Sequence, residues 1–169
     1  FAYLVAVAFI NVVVDPFYIF RAPFFKVQAQ INDRYAKIEF LKKGNGKFDS
    51  YIMGSSRMFL TRPDVVEKYI PEGKFYNLAT VFGTMYEHLL HVKYFIQHGY
   101  RVKNLYIGLD ADMYFTVKIH DDKDLLLKLH PEVANKNPMD FYWSYLSTLP
   151  KVDLRRKLKL NFNKRASSK

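Results

Sequence analysis

The sequence predicts an α/β fold, a three-layer sandwich around a parallel, doubly wound sheet, preceded by an N-terminal hydrophobic helix. Three observations predict it. Short runs at 51–53, 74–78 and 102–109 are bounded by turn residues and read as strands, the first with the pattern of a strand buried on both faces. The intervals between them carry apolar residues at helical spacing, so successive strands run parallel and cross right-handed. Residues Phe1 to Val14 are apolar except for Asn11, and Asp15-Pro16 ends that run because proline disfavours helix in the residue before it.

The N-terminal run would rise about 21 Å as a helix, against roughly 30 Å for a bilayer core. It reads as the exposed end of a membrane anchor, with a signal-peptide core or a buried helix as alternatives. Residues Pro16 to Gln30 place Phe17, Tyr18, Phe20, Phe24 and Phe25 beside Arg21 and Lys26, as at a membrane interface or in a packed connector. From Ile31, the apolar positions Ile31, Tyr35, Ile38 and Leu41 predict a helix capped at Asn32 or Asp33 and stopped by Gly44-Asn45-Gly46. A strand over Tyr51–Met53 follows, and Gly54 lets the chain turn sharply. Arg57 to Arg62 reads as a loop, and Pro63 as the first turn of a helix with Val65, Val66, Tyr69 and Ile70 on one side. Pro71-Glu72-Gly73 is a turn before the second strand at 74–78. Met85 to His98 is a helix closed by Gly99, and Val102 to Leu109 is the third strand. Leu125, Leu126, Leu127 and Leu129 form a helical edge, and Met139 to Leu149 an aromatic helix. The domain reading is 1–30 anchor and connector, 31–150 one α/β domain of flavodoxin-like winding, and 151–169 a basic tail.

Half of the 169 residues are apolar or aromatic, enough for one domain with a real core. The absence of cysteine rules out disulfide frameworks and thiolate zinc sites. Of the net charge of +10, residues 151–169 hold eight Lys or Arg against one Asp, a balance of +7. With the body nearly balanced, nucleic-acid binding is not expected. The tail alternates basic residues with Leu154, Leu158, Leu160 and Phe162, as an amphipathic helix on anionic lipid or as a solvated end. Gly-x-Gly-x-x-Gly, the Gly-x-x-x-x-Gly-Lys-Ser loop and His-Glu-x-x-His are absent, so no cofactor is expected. No metal site is expected either, because His88 and His91 lack a well-placed third ligand and Asp110 with Asp112 makes a poor pair.

The chemistry points to the turn after the first strand. In open α/β sheets, ligands bind at the carboxyl ends of the strands, which is where Gly54-Ser55-Ser56-Arg57 falls. This turn resembles the first block of the SGNH (GDSL-like) hydrolases. With Val14-Asp15-Pro16 after an apolar run, the chain is similar to a membrane-anchored bacterial branch that includes the teichoic-acid D-alanyl transfer protein and alginate acetylation proteins. The resemblance covers about residues 1 to 115. It implies that Ser56 is the nucleophile, and that Gly83, in Asn77-Leu78-Ala79-Thr80-Val81-Phe82-Gly83, donates a backbone N–H to the oxyanion hole. In the third block, Gly108-Leu109-Asp110-Ala111, an acid stands where the family has an oxyanion-donating asparagine, and an ionised carboxylate only accepts. Ser55 is the small residue beside the nucleophile, and Arg57 either steadies the turn or binds an anionic group.

The last block, Asp-x-x-His, is absent, and serine is a weak nucleophile without a base. His120 and His130 have no spacing that places them at Ser56. The expectation is a piece of a longer protein carrying that block beyond Lys169, since Phe1 stands inside an apolar run. The resemblance thus implies a serine esterase or acyltransferase in O-acylation of a cell-surface polysaccharide. Its setting would be the extracytoplasmic side of a bacterial membrane, with a membrane-bound O-acyltransferase as partner. The alternatives are an inactive relative that binds glycan or docks on that acyltransferase, and a flavodoxin-like module whose serine turn holds a phosphate.

Overall fold

The structure, a computed structural model, describes residues 2–21, 30–44, 46–111 and 124–148. It is a mixed α/β protein with a three-stranded parallel sheet and, among the described residues, six α-helices. The order is α1 (Ala2–Val14), α2 (Asp33–Lys43), β1 (Ser50–Met53), α3 (Pro63–Tyr69), β2 (Phe75–Asn77), α4 (Met85–Gln97), β3 (Asn104–Ile107), α5 (Pro131–Ala134) and α6 (Pro138–Ser147). Single 3-10 turns occupy Ser56–Met58 and Leu125–Leu127. The first of these lies in the stretch read as loop, and the second replaces the helical edge expected around the leucines.

The strand order is β2-β1-β3. Ser50, Tyr51 and Ile52 pair with Phe75, Tyr76 and Asn77 on one side, and Ser50 through Met53 pair with Asn104 through Ile107 on the other. Every residue of β1 is buried, so the apolar run read as a doubly covered strand is one.

The chain divides into two compact units, residues 33–135 and residues 1–32 together with 136–169. The sheet unit has its core around Ile38 and Leu41 of α2, Tyr51 and Met53 of β1, Tyr94 and Phe95 of α4, and Val133 of α5. Tyr51 stacks on Phe95 with ring centroids 4.3 Å apart. In the other unit α1 packs against α6, and the buried Asn11 amide nitrogen donates to the carbonyls of Tyr145, Leu146 and Thr148. Those carbonyls end α6 and have no partner within the helix. One polar residue in an apolar helix therefore caps another helix. No described helix is long and apolar enough to cross a membrane.

Burial pushes the Tyr51 phenol up to about 12, and its hydroxyl has no hydrogen-bond partner among the described residues. A buried hydroxyl left unsatisfied costs more than its removal. Tyr51→Phe should raise stability by about 1 kcal/mol in urea denaturation, while Tyr51→Ala, which deletes the stacked ring, should lower it by about 3–5 kcal/mol.

Candidate functional site

β1 ends at Met53, and Gly54 follows at φ 146°, a conformation that side chains rarely adopt. A Cβ at Gly54 would also lie 2.5 Å from Met58 Cγ and 3.1 Å from the Gly108 carbonyl oxygen. The chain then enters the 3-10 turn, with Ser55 as its cap: the Ser55 hydroxyl oxygen accepts from the Arg57 N–H at 3.3 Å. Ser55 is buried, while Ser56 one residue on is exposed. The adjacent serines thus face different surroundings.

Asp110 joins the turn from the end of β3. Its Oδ2 accepts from the Ser55 hydroxyl, and its Oδ1 accepts from Arg57 Nη1 at 2.6 Å. Those two donors, Ser55 first and Arg57 second, hold the carboxyl below its ordinary range. The carboxylate therefore stays ionised, accepts two hydrogen bonds and braces the turn. It does not take the donor's part that asparagine plays in the family pattern. The Arg57 side chain is 67% exposed and pairs with that carboxylate.

Gly83 reaches the same place from the end of β2. A Cβ there would stand 2.5 Å from the Gly54 carbonyl oxygen and 2.9 Å from Thr80 Oγ1. The Thr80 N–H donates to the Gly54 carbonyl at 3.1 Å, and the Gly83 N–H donates to the Thr80 carbonyl at 3.1 Å. The proposed oxyanion donor is thus bonded within its own turn. From the third loop, the Gly108 N–H donates to the Met53 carbonyl at 2.9 Å, and a side chain on Gly108 would collide with Met58. Ser55, Ser56, Arg57, Gly83 and Asp110 accordingly stand on three loops drawn together at the carboxyl ends of three parallel strands.

A buried set of side chains holds the second loop. Lys37 Nζ donates to the Ala79 carbonyl at 2.5 Å, Thr80 Oγ1 donates to Glu87 Oε1 at 3.2 Å, and Arg34 Nη2 donates to the Val81 carbonyl at 2.8 Å. Arg34 Nη2 also donates to Glu87 Oε2 at 2.9 Å, and its Nε faces Oε1 at 2.9 Å as an ion-pair contact rather than an aligned hydrogen bond. Burial lowers the Lys37 ammonium from its ordinary value, and the group sits 5.1 Å from the centre of the Phe59 ring, just past the 3-10 turn. These partners of the loop were not read from the sequence. The one local signal is Thr84-x-x-Glu87, in which Thr84 Oγ1 accepts from the Glu87 N–H and marks the start of α4.

No described histidine is hydrogen-bonded to either serine of the turn. His91 is buried with Nδ1 on the Glu87 carbonyl, His98 contacts the Tyr94 carbonyl, and His130 contacts Glu39 at 3.1 Å while stacking on Tyr35. His88 is buried on α4. Asp112 and His120 lie outside the described residues. Among the described residues, no group of three or more His, Asp or Glu is placed to hold a metal ion.

The fold and site define a mixed α/β protein with a serine turn at the rim of a parallel sheet. No protein-family model, curated protein or solved structure matches the chain.

Two pH effects follow from these surroundings. Asp110 has a native pKa below the ordinary 3.8, so its contribution is complete above that value and is lost as pH falls through the depressed one. Asp110→Asn should lower stability at neutral pH, and urea melts across a pH series should show the gap closing below pH 3.8. His88 and His91 run the other way in charge, because burial lowers both from 6.5 to about 4. Between those values the unfolded chain binds more protons. Stability should drop as pH is lowered from 6.5 towards 4, by up to about 1.4 kcal/mol per unit for each histidine, and His88→Gln should make the slope shallower.

Proposed function

We propose that the chain carries the first three blocks of an SGNH-type serine esterase or acyltransferase, acting in O-acylation of a cell-surface polysaccharide. The observation that carries this reading is the exposed Ser56 at the sheet's carboxyl rim, where the loops of Gly54, Gly83 and Asp110 converge. In the proposed reaction Ser56 Oγ attacks an acyl carbonyl and forms an acyl-enzyme. Its proton passes to a histidine of an Asp-x-x-His block that this sequence does not contain, and from it to the oxygen or sulfur that leaves as the donor's ester or thioester bond breaks; the same base then deprotonates water or a glycan hydroxyl, which takes the acyl group and frees Ser56.

The backbone N–H groups of Ser56 and Gly83 would hold the developing oxyanion, Gly83 by exchanging its bond to Thr80 for one to substrate. One such donor is worth about 3 kcal/mol. Asp110 keeps the buried Ser55 in place, so that Ser56 alone presents its hydroxyl. The proposal includes the finer architecture of the resemblance, with helices in layers on both sides of the sheet, an N-terminal membrane anchor, an extracytoplasmic setting, and a membrane-bound O-acyltransferase as partner.

A second reading is favoured by the histidines. His91, His98 and His130 are engaged elsewhere and His88 is buried, which fits an inactive relative that uses the same rim to bind glycan or to dock on an acyltransferase. A fluorophosphonate probe separates the two. The full-length protein should be labelled on Ser56, with labelling abolished in Ser56→Ala and retained in Ser55→Ala at reduced rate. A correctly folded full-length protein that takes no label would overturn the serine-enzyme reading.

A further inference from the structure

Each of the three loops at the rim carries one large, bare apolar side chain beside the serine turn. Leu60, just past the 3-10 turn, is 90% exposed, Phe82 is 52% exposed and Leu109 is 61% exposed. Phe82 and Leu109 are each one peptide, about 3.8 Å between Cα atoms, from a glycine packed on that turn. Gly83 stands against the Gly54 carbonyl and Gly108 against Met58, and their strands lie on opposite sides of β1. The two residues therefore flank Ser56.

Their loops are braced. The Asn77 amide nitrogen donates to the Met58 carbonyl at 2.9 Å and to the Thr61 carbonyl at 2.8 Å, bracketing Leu60, while its oxygen accepts from the Ala79 N–H at 2.9 Å. Phe82 has φ 54°, a left-handed backbone that is costly for an aromatic residue and persists only where the surroundings impose it. Leucine held out on a braced loop gives water nothing to bond, and is stabilised when an apolar partner covers it.

The chemistry of this collar selects the partner. A sugar is held by hydrogen-bonding groups, and leucines supply none. A cationic aminoacyl group needs an acceptor, yet both oxygens of Asp110 are engaged by Ser55 and Arg57, and the Arg57 charge offsets its own. An uncharged alkyl chain meets neither objection. A protein lying flat on the same side chains would cover the serine they surround, whereas an acyl chain joined to a carbonyl at Ser56 reaches them and leaves Ser56 open to react.

We propose that the acyl group taken by Ser56 is an uncharged alkyl chain of medium length, lying on Leu60, Phe82 and Leu109. This rests on the reading of Ser56 as the nucleophile and names the class of its acyl donor.

Two measurements on the full-length protein keep the two ideas apart. The first compares labelling by ethyl and decyl phosphonofluoridates, whose alkyl chain stands where an acyl chain would as Ser56 Oγ bonds phosphorus and fluoride leaves. A methylene fully withdrawn from water gains about fourfold in affinity, so about eight half-covered ones should speed decyl labelling on the order of a hundredfold. Leu60→Gln combined with Leu109→Gln should cut the decyl-to-ethyl ratio about tenfold, with circular dichroism unchanged. The second follows methyl octyl ketone, which has the chain and the carbonyl but no leaving group, by saturation-transfer NMR in Ser56→Ala. It should bind, methyl ethyl ketone should not, and the paired leucine changes should weaken it. Equal rates for the two probes, a ratio that the leucine changes leave untouched, or no binding of methyl octyl ketone would each overturn the proposal. Failure of both probes to label, with methyl octyl ketone still held by the leucines, would sink the serine enzyme and support the alkyl site as a binding site.

Discussion

The approach of Gly83 to the Gly54 carbonyl sets the spacing on which the rest of the rim depends. A methyl group at Gly83 would stand 2.5 Å from that oxygen, which belongs to backbone and cannot swing aside as a side chain could. The same oxygen accepts from the Thr80 N–H, so the loop after β2 is bonded to the turn after β1 as well as packed on it. On the opposite flank the Gly108 N–H is bonded to the Met53 carbonyl, and Met58 fills the space left by two glycines. Glycine is needed at Gly83 because two backbones pass within contact distance there, and at Gly108 because Met58 occupies the space a side chain would take. Only then does Asp110 come within reach of Ser55.

Holding that spacing requires the second loop to keep its shape, and this is done from below by charge. Arg34 and Glu87 are almost fully buried and face each other at 2.9 Å. Buried ion pairs contribute little net stability, because desolvation offsets their attraction, but losing one partner strands the other at a cost of about 3–5 kcal/mol. Here Glu87 also accepts from the Thr80 hydroxyl, and Arg34 also donates to the Val81 carbonyl. The consequence is specificity of shape. An apolar substitute of equal volume could fill the space without telling the loop where to stop.

Local pattern made much of the sheet unit legible. The three runs read as strands became the three parallel strands, Gly54 turned as its neighbours required, and the helices beginning at Pro63 and Met85 lie where spacing placed them. What stayed hidden was carried by contacts between residues far apart in the chain. Asn11 looked like a blemish in an apolar run, yet its amide caps a helix more than 130 residues away. Arg34 and Glu87 had no pattern linking them across 53 positions. Asp110 was read as a departure from asparagine, and only its proximity to Ser55 and Arg57 shows what a carboxylate does there. Periodicity records which face of an element is apolar; it does not record which polar groups meet.

The pair of serines shows how one turn separates two tasks. A hydroxyl can donate once and accept at its lone pairs. Ser55 uses both capacities, donating to Asp110 and accepting from the Arg57 N–H, and its burial keeps water from competing for either. Such a hydroxyl is poorly placed to attack anything, because its proton is held by an ionised carboxylate and its oxygen is engaged by the backbone. Ser56 has neither constraint and is exposed. The bonds that occupy Ser55 also fix the backbone from which Ser56 projects, so the exposed serine is positioned by the buried one. Exchanging the two roles would require Asp110 to reach the solvent side of the turn, away from the loop spacing that Gly54 and Gly83 impose.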